Sequence, residues 1–324
     1  MKKLILVFFV LINFFAINAC DARDEKYNIY TTVYPLKYVA EEILKDTEYT
    51  VGIVPGVVSH DSSTDWSLKE IMAMTEAKYI FYVGAKYDQY IDNEIEGVFK
   101  DEDVELVKLE SATEYIEFIP GAIHDHDHEE EGTVHVEEET ALGVDPHFWI
   151  SPLKVLEASE LIYDKLLLAY PDDEAKITSN YTDLKARLSS LSNDFQDAIS
   201  NFQKPLMTST NLYGYLSHDY GLEYLPISPG YHEENDQISL NTAEIVEEAV
   251  FHDIRYIVYE KYITSPFSDA VFAELQLKDM NPVKGEFHVL QALTDNEIEE
   301  GKNYISIMYE NLEVLKAAGE YTSE

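Results

Sequence analysis

The chain has 324 residues, 46% of them hydrophobic, which is enough for two lobes or one large α/β domain around a substantial core. Its formal net charge of −39 repels nucleic acid and anionic lipid, and excludes nucleic acid as a partner. Such a surface gathers cations, but solubility or adaptation to high salt is the simpler explanation, and a single cysteine rules out an internal disulfide.

The first twenty residues, "MKKLILVFFVLINFFAINAC", place two lysines before an apolar run and a small residue before Cys20. This reads as a secretory signal over 1–19, too short in its apolar part for a membrane span. Cys20 resembles the lipobox cysteine of bacterial lipoproteins, which is lipidated and becomes the mature N-terminus. The expectation is an extracytoplasmic, lipid-anchored protein at the cell surface or in the periplasm. An N-terminal lobe over 20–170 follows. Strands are predicted at 28–34 (stopping at Pro35), 49–54, 79–84 and 104–109, with helices between them. The helix over 67–78 has Leu68, Ile71, Met72 and Met74 on or near one face. Strands alternating with helices imply βαβ units and a mostly parallel sheet.

Between 112 and 144 periodicity vanishes, and the stretch is acidic, predicting an exposed loop within the first lobe. It holds His124, His126 and His128 in alternation with Asp125 and Asp127. These can bind zinc loosely and with poor selectivity, or be incidental to a solvated loop. Over 171–202, Ile177, Tyr181, Leu184, Leu188, Leu191, Phe195, Ala198 and Phe202 step by four and three, one apolar seam on a single long helix. Pro171 and the acids behind it suit a helix start. Such a helix joins two lobes stiffly. The C-terminal lobe, 203–324, repeats the α/β pattern with strands at 205–210, 222–228, 255–260 and 285–290, and one helix from about 294 to 318 with Ile298 on its apolar face. The fold class is therefore α/β: two lobes, each a mostly parallel sheet flanked by helices, joined by one rigid helix.

Several stretches line up with a known pattern: "TTVYPLKYVAEEI", "VPGVVSHDSSTDWSLKEI", "AKYIFYVG", "YDQYIDN", "DPHFWISP", "STNLYGYLSHDYGL" and "GKNYISIMYENLEVLK". With them the chain resembles the zinc/manganese solute-binding lipoproteins of ABC importers, the ZnuA/TroA-like family, from about Ile29 to Leu315. The Asp-Pro-His-x-Trp block is the most specific of these motifs. The resemblance implies four side chains converging between the lobes on one divalent cation. Carried over by motif, they fall on His60 of "SHD", His147 of "DPH", Thr210 and Gln291. Both first-lobe imidazoles are present, and both second-lobe ligands are replaced by neutral oxygen donors. Zinc favours four-coordinate sites of nitrogen, sulfur and carboxylate oxygen, so two neutral imidazoles leave its charge unbalanced. His232 or Glu233 of "PGYHEEND", or His288, can supply a replacement, although His288 in a predicted strand reads first as a packed residue. Imidazole favours zinc, with manganese as the alternative.

The resemblance implies a monomeric receptor that passes its ion to an ABC-type permease and performs no chemistry. Two other classes stay open. A metalloenzyme needs a general base such as Asp61 or Glu233, but no HExxH motif is present. A diverged adhesion or small-ligand-binding protein with a weak or absent central metal site is the other, since Thr210 and Gln291 are what such drift would leave.

Overall fold

The computed structural model describes residues 26–56, 66–118, 143–231 and 242–322. Two four-stranded sheets, all strands parallel, form the two halves of the molecule. The first contains β1 (Ile29–Thr31), β2 (Val51–Ile53), β3 (Tyr79–Tyr82) and β4 (Glu105–Lys108) in the order β2-β1-β3-β4. The second contains β5 (Leu206–Thr208), β6 (Tyr224–Pro226), β7 (Tyr256–Glu260) and β8 (Val283–Phe287) in the equivalent order β6-β5-β7-β8. In each sheet the chain leaves the first strand toward one edge and returns to the other side. The strand order thus reverses between β1 and β3 and between β5 and β7. Open α/β sheets bind ligands outside the carboxyl ends of their strands at such switch points.

The helices in chain order are α1 (Tyr34–Ile43), α2 (Leu68–Thr75), the single turn α3 (Gln89–Asp92), α4 (Pro152–Ala169), α5 (Glu174–Ile199), α6 (Gly214–Tyr220), α7 (Thr242–Phe251), α8 (Pro266–Leu277), α9 (Asp295–Glu299) and α10 (Tyr304–Ala318). α5 is the long helix, 26 residues and about 39 Å at ~1.5 Å per residue. It packs against α1 and α4 on the first sheet's side and against α6 and α10 on the second's. The seam residues Ile177, Leu184, Leu188, Leu191 and Phe195 are fully buried, so one apolar stripe serves both halves.

Several predicted boundaries shift, for local reasons. β1 ends at Thr31, and Pro35 lies inside the first turn of α1 rather than stopping a strand, because proline's fixed φ and missing N–H suit that turn. Pro171–Asp173 is a 3-10 turn ahead of α5, and Phe202 lies beyond its end. Leu68 and Met72 face solvent while Ala73 and Met74 are buried, so α2 turns a narrower face inward than its apolar residues suggest. The C-terminal segment is two helices. Gly301, at φ 72°, closes α9, and the Asn303 side chain caps α10 by accepting from the Ser306 N–H. Ile298 is consequently exposed. β8 spans Val283–Phe287, which puts His288 just past the strand rather than within it. α4 was not anticipated from the sequence. Its buried Val155, Ala158, Ile162 and Leu166 carry a helical period that the neighbouring motif obscures.

Candidate metal centre

The "DPH" block forms the best-defined part of the site. Asp145 is paired through its backbone, its N–H donating to the Ile116 carbonyl at 2.9 Å. The Tyr215 hydroxyl donates to the Asp145 carbonyl at 2.7 Å. The buried Asp145 carboxylate then accepts from the His147 backbone N–H at 2.9 Å and meets the His147 Nδ1 at 3.0 Å. A carboxylate accepts only, so this contact assigns the proton to Nδ1 and leaves the lone pair on Nε2. That is the arrangement a metal-ligating imidazole needs, with the second nitrogen's hydrogen bond fixing tautomer and ring orientation. The ring is walled by Tyr87, Trp149 and Tyr231, with centroids 5.9, 5.3 and 4.4 Å away. Burial pushes the Tyr87 and Tyr231 phenols up, with Asp88 and Asp145 respectively adding to the effect, so both walls stay neutral. Gly214, at the start of α6, crosses close to Asp145. A Cβ there would stand 3.2 Å from Asp145 Oδ2 and 3.1 Å from Ile116 Cδ1.

The two halves meet around this block. The Trp149 indole N–H donates to the Val289 carbonyl at 2.9 Å, and the Tyr304 hydroxyl to the Trp149 carbonyl at 2.9 Å. The Tyr34 N–H donates to the Gln291 carbonyl at 3.2 Å. Gln291 is half-buried and lines a cavity of about 460 Å³ bounded by Thr32, Tyr34 and Lys37 on one side and Leu293 and Lys302 on the other.

On the second sheet, Thr210 follows β5 and Glu260 ends β7, one on each side of the switch point. The Thr210 hydroxyl donates to Glu260 Oε1 at 2.5 Å, and both residues are buried. The Glu260 N–H donates to the Ser209 hydroxyl at 3.3 Å. Asn211, next in sequence, donates its N–H to the Gly230 carbonyl at 2.9 Å, and Tyr231 follows with its ring on His147. A short run of contacts therefore connects Thr210 to His147.

His288 has other work. Its Nδ1 accepts from the Leu290 N–H at 2.9 Å, and its Nε2 lies 3.3 Å from Glu297 Oε1. Burial holds this imidazole below its usual range, against the pull of Glu297. Burial would raise the Glu297 carboxyl, but the Thr294 N–H, the Lys261 ammonium and the Thr294 and Tyr262 hydroxyls outweigh it and hold the group well below the usual carboxylate range. Both ring nitrogens of His288 thus support the turn that carries Leu290 at φ 60°. His60, His232, Glu233 and the loop histidines His124, His126 and His128 lie outside the described residues, as do Asp61 and Cys20. Among the described residues no three His, Cys, Asp or Glu side chains come together closely enough to hold a metal ion. Asp145 and Glu260 each carry a signal in the sequence: an acid two residues before a candidate ligand, and an acid ending a continuous apolar strand.

Residues 29–318 match the family model described as zinc-uptake complex component A, periplasmic (ZnuA). The chain belongs to the ZnuA family. It is 28% identical over 324 residues to the zinc-binding lipoprotein AdcA of Streptococcus pneumoniae, an alignment that covers 98% of this chain and 61% of AdcA. The chain thus spans about three fifths of the length of that relative. It is 24% identical over 301 residues to the high-affinity zinc uptake system protein ZnuA of Bacillus subtilis, covering 92% of this chain and 89% of the relative. The fold matches the Zn(II)-bound ZnuA-like domain of S. pneumoniae AdcA at a TM-score of 0.67, with 24% identity, 91% of this chain covered and all of that domain. It also matches the laminin-binding adhesin Lmb of Streptococcus agalactiae at 0.68, with 18% identity and 90% and 99% covered.

Proposed function

We propose that this chain is an extracytoplasmic zinc receptor, anchored through a lipid on Cys20, that holds its ion between the two lobes and releases it to an ABC-type permease. The observation carrying this reading is the buried Asp145–His147 pair, which presents Nε2 as a pre-oriented donor beside the junction of the lobes. His60 is the second imidazole on the motif resemblance. Thr210 and Gln291 fill the remaining positions with neutral oxygen, or His232 and Glu233 replace them, and manganese is the alternative cargo. The lobe boundaries near 170 and 203 are supported by a connecting helix that packs against helices of both halves. The protein acts as a monomer, and His124, His126 and His128 collect zinc loosely outside the central site.

The test is zinc titration of the full chain in which His124, His126 and His128 are all replaced by alanine. One ion should bind with an affinity that His147→Ala abolishes. No binding above background in the loop-substituted protein would sink the receptor reading. It would favour instead a diverged adhesion or small-ligand-binding protein, a reading to which the oxygen donors at 210 and 291 give some weight.

A further inference from the structure

We propose that α6 of the second lobe sets the position of His147 in the first, with Asp219 as the positioning residue. This deepens the receptor reading, on which its consequence for a bound cation rests. His147 opens the 3-10 turn Phe148–Ile150, and its carbonyl accepts from the Ile150 N–H at 3.2 Å. Ser151 closes that turn and caps α4, its hydroxyl accepting from the Lys154 N–H at 3.5 Å. The stretch from Asp145 to Lys154 is thus one short, continuously bonded block. Tyr215 and Asp219 stand four residues apart, on one face of α6. The Tyr215 hydroxyl holds the Asp145 end of the block. Asp219 holds the other end, accepting from the Ser151 hydroxyl at 2.5 Å and lying 3.7 Å from the Lys154 ammonium.

The first turn of a helix leaves backbone N–H groups without partners inside it. In α4, Pro152 has none to offer, and the Tyr220 hydroxyl of the second lobe accepts that of Leu153 at 2.9 Å. The Asp219 carboxylate stands at the same end, where a negative charge suits the helix dipole. The Asp219 and Lys154 side chains are only 2% and 6% exposed. His218 Nδ1, 2.8 Å from Asp219 Oδ1, and Glu157 Oε2, 3.3 Å from the Lys154 ammonium, complete the cluster. A buried ion pair adds little net stability, because desolvation offsets the attraction, and its better-attested use is to specify one geometry. Here that geometry is the seat of one lobe on the other. An apolar contact lets α6 slide, whereas a carboxylate that must meet a hydroxyl proton and an ammonium together does not. The second lobe therefore directs the imidazole from behind, through the backbone that carries it. Withdrawal of α6 loosens His147, which links movement of the second lobe to the hold on the ion.

The test uses the full chain with His124, His126 and His128 replaced by alanine. It compares Asp219→Asn with Lys154→Met and Asp219→Leu combined, since apolar replacement of both partners of a buried pair keeps or raises stability. Urea unfolding reads stability, and competition with a chelating dye reads zinc affinity. The His147 ring N–H signal in NMR, assigned by its loss in His147→Ala, reads the ring's orientation without metal. The combined variant should match the parent's stability, bind zinc at least about tenfold more weakly and shift or lose the ring signal, and Asp219→Asn should weaken zinc a few-fold. Parent affinity or an unmoved ring signal in the combined variant overturns the proposal and leaves the receptor reading standing. If the parent binds no zinc, the receptor reading falls and the ring signal alone judges Asp219: displacement in the combined variant supports its positioning role, and no change overturns it. Should the combined variant not fold, the same readouts on Asp219→Asn decide.

Discussion

Asp88 follows the tight turn after β3, where Gly84, Ala85 and Lys86 all take positive φ. Its side chain is completely buried, accepting from the Gly84 N–H at 2.9 Å and from the Tyr90 hydroxyl at 3.2 Å. Burial pushes the carboxyl up from 3.8 to about 6, although the Gly84 N–H and its other donors pull the opposite way. The folded protein therefore keeps a proton between about pH 4 and pH 6 that the unfolded chain has released. Stability falls as pH rises through that window, then stays level above it. A shift of about two units, at ~1.36 kcal/mol each, corresponds to about 3 kcal/mol of cost once Asp88 is ionised. Asp88→Asn keeps the shape, accepts from Gly84 through its amide oxygen and donates to the Tyr90 hydroxyl. It should be more stable than the parent at pH 7.5 by up to about 3 kcal/mol, with the gain shrinking toward zero near pH 4. Urea unfolding of both proteins at pH 7.5, 6, 5 and 4 measures the difference and cancels the other carboxylates. A variant less stable at pH 7.5, or a difference that does not change with pH, would refute the argument that burial dominates this group.

Other outcomes are expected from the same structure. Thr210→His should tighten zinc at least about tenfold, because the new imidazole gains Glu260 as the acceptor for its second nitrogen. A chelator competition showing no gain would remove position 210 from the site. Gly214→Ala should weaken zinc without unfolding the protein, since its methyl presses on the carboxylate that orients His147. Equal affinities in titration would argue that Asp145 has slack. Leu188→Ala, at a fully buried position in the middle of α5, should cost about 2–5 kcal/mol in urea unfolding, with both lobes lost in one transition. Two separated transitions would contradict a helix shared by both cores. Lys261→Met removes the cation from the buried Glu297 carboxylate and should cost about 1–3 kcal/mol at pH 7 in urea unfolding. A variant as stable as the parent would show that the Thr294 and Tyr262 donors hold this carboxylate without the ammonium.

The sequence by itself determined the elements whose physics is local. The four-and-three spacing from Ile177 to Ala198 fixed one long helix, and the continuous apolar runs fixed buried parallel strands, because a residue pattern with one period can bury only one way. The "DPH" motif likewise marked His147 before any neighbour was known. Tertiary structure alone decided what depends on chain segments meeting. Asp145 orients His147 only because Ile116 and Tyr215 hold its backbone from two different parts of the chain. Thr210 meets Glu260 only because β5 and β7, fifty residues apart, lie side by side. His288 looked available as a ligand, yet Leu290 and Glu297 engage both its nitrogens, a competition for lone pairs that no spacing rule records. The break between α9 and α10 has the same origin. A left-handed glycine and an asparagine cap outweigh an apolar period that runs straight through them.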